Sequence, residues 1–148
     1  MPTLYLTRGL PASGKTTRAR AWVAEDPEHR IRVNRDDLRD MGHGGRLGTG
    51  AQEAAMTAIQ HAGIRALLGD ARLDVVVDDT NLNPAHLRSL CHIAMTLSAR
   101  YEVWDLTWVP LDSCIERDCV RAALGEPAVG EDVIRSMHAR WLAPAPKG

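Results

Sequence analysis

The clearest chemistry in this chain lies in eight residues near its start, Gly9-Leu-Pro-Ala-Ser-Gly14-Lys15-Thr16, which satisfy G-x-x-x-x-G-K-[ST]. In such a loop the glycines permit backbone torsions closed to other residues, and the amide N–H groups turn inward toward an anion. A helix opening at Lys15 adds the positive end of its dipole. Lys15 would then reach the β- and γ-phosphates of a nucleotide, and the Thr16 hydroxyl would ligate Mg²⁺. The lysine is also a compositional exception: of 18 basic residues only Lys15 and Lys147 are not arginine.

Three further clusters supply groups that act on a phosphate or a hydroxyl. In Val33-Asn34-Arg35-Asp36-Asp37-Leu38-Arg39, a helix starting near Asp36 puts Asp36 and Arg39 on one face at i, i+3, with Leu38 and Met41 on the core side. That face offers a carboxylate to take a proton beside a guanidinium to hold a phosphate. The alternative is a charge-compensated, solvated helix start. In Val77-Asp78-Asp79-Thr80-Asn81-Leu82-Asn83-Pro84, two carboxylates leave an apolar strand on opposite sides, so one faces the cleft directly, while Asn83 caps the next helix. Arg117 and Arg121, at i, i+4, share a helix face that could close over nucleotide phosphates as a lid; the alternative is a solvated stripe paired to Glu116 or Asp118.

Short apolar runs alternating with helical patterns must position these groups. Strands are expected at Thr3–Thr7, Ile31–Val33, Val75–Val77 and Glu102–Val109, and helices at Thr16–Ala24, Asp36–Met41, Ala51–Leu68, Pro84–Ser98, Leu111–Ala123 and Gly130–Leu142. The pattern places Ala19, Trp22 and Val23 inward on the first helix. It does the same for Leu87, Cys91, Ala94 and Leu97 on the fourth, and for Val133, Met137 and Trp141 on the last. Five glycines in Gly42–Gly50 read as a mobile loop. The order implies an α/β fold, a small parallel sheet flanked by helices, whose ligands bind beyond the carboxyl ends of the strands. One domain over 1–142 and a flexible tail over 143–148 account for the chain.

Composition excludes several classes of function. With 45% apolar and 25% charged residues and a formal charge of −1, no global field draws the chain to nucleic acid or membrane, so a polyanion must be gripped locally. Cys91, Cys114 and Cys119 make no even framework and no C-x-x-C, which argues for a reducing compartment and against structural zinc. No apolar run is long enough to span a bilayer, and no signal sequence is evident, so the expected location is cytoplasmic. Phenylalanine is absent, and stacking platforms for extended single strands are not obvious.

Taken in order, the motifs resemble the kinase domain of the phage-type polynucleotide kinase-phosphatase family, from residue 4 to about residue 140. The resemblance rests on Gly9–Thr17, Asn34–Arg39, Asp79–Pro84, Arg117–Arg121 and Val133–Met137. It implies a P-loop kinase fold with a C-terminal helical lid. Gly9, Ser13, Gly14, Lys15, Thr16, Thr17, Arg117 and Arg121 would bind ATP, with Thr16 on the metal, and Arg121 and Lys15 would act on the transferring group. Asp36 would be the general base for a 5′-hydroxyl, and Arg39, Arg35, Asp79 and Asn81 would bind the acceptor. The implied partners are a 5′-hydroxyl polynucleotide end and a nucleic-acid ligase or phosphatase of the same repair pathway. Ala12 departs from the family, which often has glycine there, and the segment after Met41 is glycine-rich instead of charged. The chain carries no D-x-D-x-T motif, so the expectation is a kinase without a 3′-phosphatase. Two other readings stay open: a kinase of a small metabolite on the same fold, and a nucleotide-binding switch module.

Overall fold

A computed structural model describes residues 1–45 and 48–143. Four parallel strands, β1 (Thr3–Arg8), β2 (Arg30–Val33), β3 (Asp74–Val77) and β4 (Arg100–Asp105), form one sheet in the order β2-β3-β1-β4. The α/β architecture expected from the alternating pattern is present. Val75, Val76 and Val77 are fully buried, as a continuous apolar run requires in a sheet covered on both faces.

The period-2 alternation of β1 and β3 sorts the core into two layers. Leu4 and Leu6 pair in register with Val75 and Val77 and pack against Ile64, Leu68, Leu90, Ile93 and Ala94. Those partners come from α3 (Gly50–Arg65), the π-helical turn Ala66–Asp70 that ends it, and α4 (Pro84–Thr96). Across the sheet, Val76 and Trp104 join Leu10, Ala19, Cys114 and Ile134. They lie under α1 (Lys15–Glu25), α5 (Leu111–Ala123) and α6 (Glu131–Trp141). The remaining helix, α2 (Arg35–His43), leaves β2 at the same sheet end as the loop after β1.

Several boundaries and faces differ from the pattern reading. β4 stops at Asp105, not Val109, because Asp105 accepts from the Thr107 N–H and hydroxyl and closes a turn. The glycine run is not all loop: Gly42 and His43 complete α2, and Gly50 opens α3 under a Thr49–Gln52 capping box. Residues 46–47 of that run, and 144–148 of the expected tail, lie outside the described residues. Met41 is 75% exposed and so is not core-facing. On α4 the buried face centres on Leu90, Ile93 and Ala94; Leu87 and Cys91 flank it and Leu97 is exposed. On α6 Ile134, not Val133, is the anchor, with Met137 and Trp141 beside it. In each case the apolar residues permitted two adjacent helix phases, and contact with the sheet selected one. Ala19, Trp22 and Val23 do pack inward as read.

Candidate active site

β1, β2 and β3 end side by side, and backbone-directed side chains stitch their exits together. The Thr7 hydroxyl donates to the Asp79 carbonyl at 2.8 Å, Asn81 Nδ2 to the Thr7 carbonyl at 2.7 Å, and the Gly9 N–H to the Thr80 carbonyl at 3.0 Å. Asn34 caps α2 by accepting from the Asp37 N–H, while its Nδ2 donates to the Asp78 carbonyl. Carboxylates, arginines and the glycine loop therefore meet at one end of the sheet, as parallel topology dictates.

The loop Gly9–Gly14 joins β1 to α1. A Cβ on Gly9 would lie 2.7 Å from Ser13 Oγ and 3.2 Å from Leu106 Cβ, so only glycine fits. Gly14, the residue before α1, has φ of 101°. Ala12 also occupies the left-handed region, at φ 63°, where a Cβ is costly. Lys15 is not the open side chain that a ligand-facing role suggests. It is 8% exposed, and its Nζ turns back to donate to the Leu10 carbonyl at 2.6 Å and, more weakly, to Ser13 Oγ at 3.4 Å. A buried ammonium needs an acceptor, and the loop supplies its own. Burial pulls its pKa down to about 8, against the fields of Asp78, Cys114 and Asp79, which favour the charge.

Thr16 and Thr17, on the first turn of α1, share a pocket of about 500 Å³ with Arg20, Arg121, Glu126 and Pro127. Arg117, one turn before Arg121 on α5, reaches the loop, its Nη1 lying 3.4 Å from the Ala12 carbonyl. Asp118 is not available to pair with either arginine. That carboxylate is buried and accepts from the Val129 and Gly130 N–H groups at 3.0 and 2.9 Å, fixing the entry to α6. Among the described residues no carboxylate stands within ion-pair distance of Arg117 or Arg121.

The second group is tightly paired. Asp79 lines a cleft of about 280 Å³ with Arg35, Thr57, Asn81, Leu82 and His86. It accepts from the Arg35 N–H at 2.8 Å and from Gln60 Nε2 at 2.6 Å, while burial holds its pKa above the ordinary carboxylate value. Asp78 points the other way, as alternation requires, but it is not solvated: it is buried and accepts from Arg32 Nε at 2.7 Å. Arg35 donates to Thr57 Oγ1 and to the Glu53 carbonyl. Asp36 and Arg39 do share a face, 2.6 Å apart, with Asp36 82% exposed. Arg39 also forks onto Glu53 at 2.6 Å, which holds the Glu53 carboxyl below its usual pKa. Asn81 sits at φ 46° with its amide nitrogen committed to Thr7.

The structure thus brings Arg35, Asp79 and Asn81 into one cleft, sets Asp36 and Arg39 beside it on α2, and places Thr16, Thr17 and Arg121 around the other pocket. Sequence reasoning missed Glu53, Thr57 and Gln60, which hold Arg35, Arg39 and Asp79. Their signal was a polar stripe at i, i+4 and i+7 through an alanine-rich helix. Among the described residues no cluster of three His, Cys, Asp or Glu could hold a metal by itself. A cation here would need phosphate oxygens as ligands, with the Thr16 hydroxyl in the pocket; Asp78, whose field reaches Lys15, keeps a buried, unpartnered Oδ1.

A family model described as "AAA domain" matches residues 4–144. The chain is similar to a chain in a structure of the Pnkp1/Rnl/Hen1 RNA repair complex, at 27% identity and a TM-score of 0.83, over 95% of this chain and 44% of that one. A second structure of the Pnkp1/Rnl/Hen1 complex matches at 31% identity and a TM-score of 0.71, over 78% of this chain and 38% of that one. Chaetomium thermophilum Kti12 in complex with ADP-AlF3 shares the fold, at 22% identity and a TM-score of 0.73 over 98% of this chain and 83% of that one. The chain spans less than half the length of the two repair-complex chains. No helix among the described residues is long and apolar enough to cross a membrane.

Proposed function

This chain belongs to the AAA domain family and has the P-loop kinase fold; from there we propose that it transfers the γ-phosphoryl group of ATP to the 5′-hydroxyl end of a polynucleotide, using Mg²⁺. The observation that carries the reading is the exposed Asp36 carboxylate 2.6 Å from Arg39, on a helix that starts at the same end of the sheet as the loop holding Lys15. Asp36 accepts the proton of the attacking hydroxyl, and Arg39 holds the phosphate that follows the terminal nucleoside. Oxygen attacks phosphorus as the bond to the ADP oxygen breaks. Lys15 and Arg121 face the charge that spreads over the transferring group. The Thr16 hydroxyl, together with phosphate oxygens of the nucleotide, would hold Mg²⁺, which would supply further neutralisation of that charge. Asp79 fixes the start of α2 through the Arg35 N–H and so sets where Asp36 stands.

Likeness to a chain of an RNA repair complex supports a polynucleotide acceptor, and a ligase that consumes the 5′-phosphate as the next activity. The small cleft, about 280 Å³, also suits a single phosphorylated metabolite, which is the competing acceptor class. Incubation with labelled ATP and either 5′-hydroxyl DNA and RNA oligonucleotides or a panel of phosphorylated and carboxylated metabolites separates the two. Label on the oligonucleotide 5′ end is expected. Label only on a metabolite overturns the proposal, and ATP binding without transfer to any acceptor favours a switch module.

A further inference from the structure

The acceptor-side cleft contains one planar ring. Among its lining residues, Arg35, Thr57, Asp79, Asn81, Leu82 and His86 with their neighbours Thr80 and Asn83, only His86 is a ring, and no tyrosine or tryptophan reaches it. His86 lies in the first turn of α4, and behind it stands His61 of α3, near-parallel at 24° with ring centroids 6.2 Å apart. His61 follows Gln60, which grips Asp79, so the ring pair and the carboxylate are fixed by the same turn of helix.

Two observations say that this pair is not ordinary packing. His61 Nε2 is buried with no hydrogen-bond partner, an unusual cost for a ring that could have been leucine. Burial also pulls the pKa of both imidazoles below the ordinary value, and the Arg35 charge pulls the same way. The α4 N-terminus disfavours a charge on His86 further. A flat ring backed by a second one, lining the same cleft as Asp79, has the face turned away from His61 left for a ligand. The Tyr5–Trp22–Trp104 cluster cannot serve, since Trp22 and Trp104 belong to the core layer on the opposite face of the sheet.

We propose that His86, braced by His61, is the surface on which the first nucleobase of the acceptor strand stacks, so that the cleft holds the terminal nucleoside by its base while Arg39 holds its phosphate. This rests on the polynucleotide reading above. Stacking on a ring tolerates any base, because every base has a π-face, and imidazole serves as such a platform in other nucleic-acid sites. His86 is a binding residue here and takes no part in moving the proton.

The test uses two 5′-hydroxyl oligonucleotides that differ only in an abasic terminal nucleotide. Against the intact oligonucleotide, His86→Ala is expected to raise KM by about fivefold to 150-fold, the range that loss of one base–ring stack gives. Its kcat and its KM for ATP should stay near wild type. Against the abasic oligonucleotide, wild type and His86→Ala should coincide, and His86→Phe should restore the preference for the intact end. If His86→Ala does not fold, His86→Gln and His86→Phe decide the same point, the first losing that preference and the second keeping it. An unchanged KM overturns the inference, as does an equal loss on both oligonucleotides, which would make His86 a shaper of the cleft. Transfer by wild type with no dependence on His86 leaves the kinase reading standing and removes only this one. No transfer by wild type to any oligonucleotide removes both.

Discussion

The proposed donor and acceptor halves of this site handle charge in opposite ways. Around the glycine loop the cations have no carboxylate partner among the described residues: Arg121 borders a pocket of about 500 Å³, and the buried Lys15 satisfies itself on a carbonyl of its own loop. Around the start of α2 the arginines already have carboxylates, Arg39 with Glu53 and Asp36, Arg35 with Glu53, and Arg32 with Asp78 and Asp37. Half of the site awaits an anion, and half is neutralised from within. An incoming nucleotide fills an electrostatic deficit, whereas an incoming acceptor must exchange partners with groups already in place.

Lys15→Met tests that contrast most severely. It keeps the buried aliphatic stem and removes the ammonium, so the fold should hold, with a thermal melt near wild type, while transfer falls below detection. A second readout follows from its pKa of about 8. Bound phosphates favour the ammonium, so between about pH 8 and the ordinary lysine value ATP binding should take up a proton. Calorimetry at pH 9 in buffers of different ionisation enthalpy reads this uptake, and Lys15→Met should abolish it. The sign for the free protein is opposite to that of an ion-paired lysine. Its lowered pKa disfavours the folded state at low pH, and this deficit disappears as pH rises from about 8 to the unfolded value.

Arg121→Ala comes next. An arginine acting on the transferring phosphoryl group contributes about 10³–10⁵ in rate, and the lower end is expected here, with Arg121→Lys recovering only part. Stability should not change, since no described carboxylate pairs with it. A change in melting temperature with normal turnover would return Arg121 to the solvated-stripe reading.

On the acceptor half, Asp36→Asn should preserve ATP binding and lower kcat by about 10²–10⁴, the range of a general base. Asp37→Asn should leave kcat near wild type and cost at most about 1 kcal/mol in a urea melt, because Asp37 spends its carboxylate on an exposed pair with Arg32. If Asp37→Asn is the dead variant, the base is the other carboxylate. The smallest expected effect is at Ala12. Glycine at φ 63° removes the steric cost of a Cβ in left-handed backbone, so Ala12→Gly should stabilise the protein by up to about 1 kcal/mol, read as a raised denaturation midpoint.

The same division explains what could be read from the sequence. The donor loop is one contiguous string between a strand and a helix, so Gly9 to Thr17 announced both its fold and its chemistry. β-strands buried on both faces were equally plain, as at Val75–Val77. The acceptor half assembles from three separated segments, and its supports on α3, Glu53, Thr57 and Gln60, belong to no motif; only tertiary packing turns that helix face toward Arg35, Arg39 and Asp79. Lys15 stood out by its type, but nothing in a one-dimensional pattern tells that its side chain folds back on the Leu10 carbonyl. The helix phases of α4 and α6 slipped for a related reason: adjacent apolar residues leave the inward one undecided until a sheet chooses.

The Arg39–Glu53 fork has a consequence for how binding would respond to ionic strength. A basic groove that meets a nucleic acid sheds condensed cations, and its affinity falls steeply with salt, by roughly −0.7 in log–log slope per phosphate on a single strand. At Arg39 an arriving phosphate displaces a carboxylate, and Glu53, set free, gathers a cation of its own. Little counterion entropy is released on balance. Affinity for a 5′ end should therefore decline with added potassium chloride more gently than its phosphate contacts suggest, and such an enzyme would keep its grip on strand ends at salt concentrations that strip non-specific binders away.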